Sequence, residues 1–123
     1  MKLHADARTA LNTFTGYGPG FVEINRVRFD HAVLVAPEGP IAAWEVDGFD
    51  ALAPAHFERL LALAPDVVLL GTGERQRFPH PRLASVLVQA RIGVDVMDTR
   101  AACRTYNILM AEGRRVLAAL LMH

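Results

Sequence analysis

The segment Val116-Leu117-Ala118-Ala119-Leu120-Leu121-Met122 carries no polar side chain at any position, and this constrains the fold more than any other feature of the chain. Successive residues of a strand point to opposite faces, so Val116, Ala118 and Leu120 face one way and Leu117, Ala119 and Leu121 the other. Both faces then need cover, which predicts a strand over Arg115 to Met122 in the interior of a sheet with a layer on each side. Asp66 to Leu70 reads the same way: its last four residues, Val67-Val68-Leu69-Leu70, are apolar, and Gly71-Thr72-Gly73 ends the run.

Around these strands the period changes. Phe57, Leu60, Leu61 and Ala64 follow the i, i+3, i+4, i+7 spacing of a helix face, with Pro54 suited to the first turn and Pro65 setting the stop. Ala53 stands where such a helix prefers a Ser or Thr cap, which weakens that end. Leu83, Val86, Leu87 and Ala90 repeat the helical spacing after Pro79 and Pro81, with Ser85 inside it as a helix-surface serine. Ile92 to Met97 reads as a strand. Asp98 to Glu112 reads as a third helix, with Asp98 or Thr99 as N-cap and Gly113 as stop. Alternating strands and helices imply parallel strands joined by right-handed crossovers.

The first half is richer in turns. Phe21 to Ile24 and Val27 to Phe29 read as a hairpin around Asn25-Arg26, while the glycines and proline of Thr15 to Gly20 read as a loop. Ala32 to Ala36 and Ile41 to Val46 are further strand candidates about the turn Pro37 to Pro40. The sum is an α/β chain forming a single three-layer domain over residues 1–123, with flexibility expected at most in residues 1–15. Its central sheet is mixed, parallel in its C-terminal part and antiparallel in its N-terminal strands, with about three helices.

Composition narrows the partners. Of 123 residues, 52% are hydrophobic and 21% charged, the balance of a packed globular chain rather than a disordered one. Lys plus Arg equal Asp plus Glu at 13 each, so no net field draws the chain to nucleic acid, and a nucleic-acid partner is not expected. A single cysteine, Cys103, excludes an internal disulfide and suits a reducing compartment, so the expected location is cytoplasmic. Residues 1–15 lack the apolar stretch of a signal peptide, and no apolar run approaches the ~20 residues of a transmembrane span.

The candidate chemistry lies at the carboxyl ends of the C-terminal strands, where open α/β sheets collect ligands. Gly71, Thr72 and Gly73, followed by Glu74-Arg75-Gln76-Arg77, have either the backbone freedom of a tight turn or free N–H groups for a small anion. They match neither a dinucleotide fingerprint nor a Walker loop. Asp98 and Thr99 open the third helix. Arg104, Tyr106, Asn107, Glu112 and Arg114, with Thr105, form a polar cluster in an apolar stretch. Burying such groups is costly unless they satisfy one another, for instance an arginine paired with Glu112 or Asp98, or meet a ligand or partner. Cys103 near a helix start, with His56 or His80 in reach, is the one arrangement suggesting a catalytic thiol, and a small buried side chain explains it better. The five histidines show no chelating spacing, so neither metal nor cofactor is expected.

The stretches Leu69-Leu70-Gly71-Thr72-Gly73, Gly93-Val94-Asp95-Val96-Met97-Asp98-Thr99, Ala102-Cys103-Arg104-Thr105-Tyr106-Asn107-Ile108-Leu109 and Glu112-Gly113-Arg114 resemble the Mth-type domain family. These are small bacterial and archaeal proteins related to mitochondrial complex I assembly factor 3 and to adipogenesis-associated Mth-type domain proteins. The resemblance runs from about Tyr17 to the end of the chain. It implies a three-layer α/β fold with a mixed sheet, no established catalytic residues, and relatives that help assemble a membrane enzyme complex. The expected function is accordingly a non-enzymatic interaction or assembly-factor-like module with another protein as partner. The alternative is a small-anion or small-molecule binding protein, with enzymatic activity open, using the Gly71 to Gly73 loop and the Asp98 to Arg114 helix.

Overall fold

In the computed structural model residues 11–123 are described. The eight strands are β1 (Phe14–Gly18), β2 (Phe21–Ile24), β3 (Val27–Phe29), β4 (Val33–Val35), β5 (Ala42–Ala43), β6 (Val67–Thr72), β7 (Gly93–Met97) and β8 (Val116–Leu121). The helices are α1 (Pro54–Ala62), α2 (Ser85–Gln89) and α3 (Thr99–Ala111). Strands β1, β2 and β3 form an antiparallel meander. The other five form a sheet of order β5-β4-β8-β6-β7, in which β6 pairs in parallel with both β7 and β8.

The two faces of β8 explain the layering. Val116, Ala118 and Leu120 join Val33, Val35, Val67 and Leu69 in a core closed by Tyr106 and Ala102 of α3 and by Phe14, Val22 and Ile24 of the meander. Leu117, Ala119 and Leu121 join Leu34, Val68 and Leu70 against Phe57 and Leu60 of α1 and Leu87 of α2. The C-terminal strand is therefore central and covered on both sides, and the α/β reading with three helices and a mixed sheet stands. The antiparallel strands divide, however. Only β4 and β5 extend the central sheet, and β1 to β3 leave it to share a layer with α3.

Thr15 to Gly20 is not wholly a loop. Its first four residues continue from Phe14 as β1, paired with β2, with an irregularity between Phe14 and Gly16. Cross-strand pairing overrides the glycine signal here, and the Phe21 ring lies over Gly18, where an added Cβ would come within 2.4 Å of it and displace it. The hairpin turn at Asn25-Arg26 has positive φ at both residues, 52° and 71°, the left-handed pair that a type I′ two-residue hairpin requires.

Other boundaries shift locally. Strand β6 runs on through Gly71 and Thr72, because both still pair with β8. The predicted second helix is split into a 3₁₀ turn, Pro81–Ala84, and the short α2, so Ser85 sits at the junction rather than mid-helix. Helix α1 ends at Ala62, and Ala64 turns to φ 52°, leaving its predicted face position. His56 answers the missing cap: its Nδ1 accepts from Ala53 N–H at 2.9 Å and its Nε2 donates to Glu45 O at 3.2 Å. Of the segment expected to flex, residues 1–10 lie outside the described residues, and Phe14 and Thr15 lie in β1.

Candidate functional site

At the carboxyl end of β6 the glycine turn and the start of α3 are bound to each other. Gly73 N–H donates to Thr99 Oγ1 at 2.8 Å, Thr99 Oγ1 donates to Leu121 O at 2.6 Å, and Thr99 N–H donates to Gly73 O at 2.9 Å. Glycine is needed because the elements nearly touch. A Cβ on Gly71 would lie 2.9 Å from Thr99 Oγ1, and one on Gly73, at φ +90°, would lie 2.8 Å from the His123 backbone. Thr72 Oγ1 donates to Arg75 O at 2.6 Å and accepts from Arg77 N–H at 3.0 Å. The Arg77 guanidinium donates to Thr72 O at 2.7 Å and stacks 4.6 Å from the Phe49 ring centroid, with its Nε buried and unpartnered. Asp98 caps α3 by accepting from Ala101 N–H at 2.9 Å. The crevice left among Tyr17, Gly73, Thr99 and Met122 holds about 10 Å³.

Along α3 the polar residues serve separate tasks. Tyr106, fully buried, donates its hydroxyl to Asn12 O at 2.9 Å and packs edge-on against Phe14. Asn107 accepts from Phe14 N–H at 3.0 Å and donates to Phe14 O at 2.9 Å, acting as a side-chain strand along the outer edge of β1. Arg104 is exposed and donates to the Tyr17 hydroxyl at 3.0 Å, a bond that raises its pKa further. Glu112 is the C-cap residue and Arg114 lies beyond it, both exposed. Thirteen residues rising about 1.5 Å each separate that end from Asp98 by about 20 Å, so Arg114 does not share a site with Gly71 to Gly73.

Cys103 is buried, and burial pushes its thiol up to about 12. Burial likewise raises the Tyr106 phenol. His56 caps α1 and His80 Nδ1 accepts from Arg82 N–H at 3.0 Å, so both imidazoles are committed to backbone elsewhere. Among the described residues no group of three His, Cys, Asp or Glu side chains could hold a metal ion.

A cavity of about 430 Å³ lies at the opposite end of the sheet, where β6 and β8 begin. Ala36, Leu63, Met110, Arg114, Arg115 and Val116 are among its lining. Of these, sequence reasoning singled out only Arg114. Asn12 was missed as well, although it is 7% exposed and its Nδ2 binds the carbonyls of Ala36 and Gly39 at 2.8 and 2.9 Å. The adjacent Arg114-Arg115 pair was the one available signal.

Comparison with known proteins matches residues 14–121 to a family described as protein of unknown function (DUF498/DUF598). A solution structure of a Bordetella pertussis protein, an Mth938-like domain, superposes with a TM-score of 0.81 at 44% identity, covering 98% of this chain and 92% of that one. NADH dehydrogenase [ubiquinone] 1 alpha subcomplex assembly factor 3 of Bos taurus is 33% identical over 104 residues, 83% of this chain and 55% of the bovine protein. The chain thus spans about half of that factor's length. The 13 kDa major membrane protein of Francisella tularensis is 28% identical over 117 residues, 94% of this chain and 95% of that protein. Among the described residues no helix is long and apolar enough to cross a membrane.

Proposed function

The chain belongs to the DUF498/DUF598 family of Mth-type domains, and from that premise we propose that it is an interaction module that helps other proteins assemble, working by docking rather than by catalysis. The observation that carries this reading is the likeness, across 83% of the chain, to a protein named as an assembly factor. The use of the polar side chains agrees with it. Tyr106 and Asn107 hold backbone in place, and burial of Cys103 favours its protonated thiol over the nucleophilic thiolate. Phe78, Val88 and Ile108 are single exposed apolar side chains, 71%, 64% and 59% exposed, on separate segments. Cytoplasmic location is part of the same proposal, checked by cell fractionation.

Deleting the gene in its native cell and separating membrane enzyme complexes on native gels tests the role. Accumulation of partly assembled complexes, reversed by the intact gene, is the expected result. Unaltered assembly of every respiratory complex would remove the reading.

A small-anion role at Gly71 to Gly73 draws less support, because Gly73 N–H is already bonded to Thr99 and the adjoining crevice is about 10 Å³. Arg114 is the member of that alternative with space beside it.

A further inference from the structure

The cavity at the amino end of β8 exists because two neighbouring strands part company. Strand β4 pairs with β8 only as far as Val35 and Ala118. Beyond that point Ala36 and Pro37 peel away, their carbonyls taken by Asn12 Nδ2 at 2.8 Å and Asn12 N–H at 2.9 Å. Strand β8 starts two residues earlier, at Val116. Arg115 O accepts from Asp66 N–H at 2.8 Å on the β6 side. By strand alternation Val116 therefore turns its N–H and C=O to the opposite side, toward the gap β4 has vacated. The result is a cavity of about 430 Å³, within the range of small-molecule sites, with Leu63, Met110 and Leu117 supplying apolar wall.

Among the described residues the charged side chains of the lining are two arginines and one glutamate. Arg114 is exposed at the rim, and Arg115 stands beside it with its Nη2 anchored on Ala64 O at 2.6 Å. Glu38 is the one acidic side chain in the lining among the described residues. The carbonyls at the end of α3 are already bonded, Leu109 O to Arg114 N–H and Met110 O to Gly113 N–H, both at 3.0 Å, so they present little free negative charge to a ligand.

From this arrangement we infer that the cavity binds a carboxylate carried on an apolar body. The guanidiniums at positions 114 and 115 and the Val116 N–H receive the carboxylate, and the apolar wall takes the body. The site stands apart from the docking role, sharing none of the exposed apolar side chains named there.

Octanoate titrated into the ¹⁵N-labelled full chain is the test. The expected result is saturable movement of the Gly113 and Val116 amides, none with octylammonium, and much weaker movement with acetate. Arg114→Glu, a change at an exposed side chain, is expected to weaken octanoate binding at least about tenfold with the melting temperature retained. An N-acetylated leucine dipeptide with a free carboxylate, run alongside, distinguishes a peptide C-terminus from a free acid as the source. Equal response to octylammonium, binding insensitive to Arg114→Glu, or no response to either acid overturns the site.

Discussion

Thr99 has more structural consequence than its size suggests. Its hydroxyl accepts from Gly73 N–H and donates to Leu121 O, and both partners are buried, so one side chain joins the ends of two strands to the start of a helix. Removing it strands an N–H and a C=O without water, which costs about 2–4 kcal/mol. Thr99→Val, which keeps the shape, should lower unfolding free energy by that amount in urea melts, and Thr99→Ser should recover most of it. A Val variant as stable as the parent would show the bridge to be idle. The sequence marks Thr99 as a helix-start residue but does not announce its partners, because Gly73 and Leu121 are 26 and 22 positions away.

At the scale of elements, the meander is held to α3 by a shared apolar core and by hydrogen bonds from Asn107 and Arg104. Strand β1 pairs with β2 on one side, and Asn107 supplies a donor and an acceptor to Phe14 on the other. Asn107→Leu keeps the volume but leaves both Phe14 groups unpaired. Amide exchange at Phe14 to Gly18 should then accelerate by one to two orders of magnitude, as expected for about 1–3 kcal/mol of lost local protection, with β6 and β8 little affected. Uniform acceleration through all strands would instead mean that the meander opens only with the whole protein. Apolar spacing made α1 legible and unbroken apolar runs made β6 and β8 legible, while α3 is marked by its cap at Asp98 or Thr99 and its stop at Gly113. Strand β1 was not legible, because Gly16 and Gly18 read as breakers until Phe21 is seen crossing Gly18.

At the scale of the whole molecule, two buried weak acids among the described residues, Cys103 and Tyr106, tie folding to alkaline pH. Cys103 titrates near 9.0 when free and is pushed up to about 12 by burial, and the Tyr106 phenol is raised above its ordinary 10.0. Above pH 9 the unfolded chain releases protons that the folded chain retains, so folding stability is complete below pH 9 and is lost as pH rises toward 12. Each group costs about 1.4 kcal/mol per pH unit while only the unfolded state titrates. Urea midpoints should therefore be level from pH 7 to 8.5 and fall beyond 9, and Cys103→Ala should flatten the first part of the fall. A level profile to pH 11 would mean that the core admits thiolate.

The sequence by itself determined the layered α/β plan. Strands apolar on both faces can be satisfied only inside a sheet with cover above and below, and that requirement is local in the chain. Tertiary structure alone decided which polar residues are free. Tyr106, Asn107 and Thr99 find backbone partners far away in sequence, the glycine turn closes on α3, and the open cavity falls at the other end of the sheet. Hydrogen-bond satisfaction depends on the meeting of distant segments, whereas apolar periodicity is written in neighbouring residues.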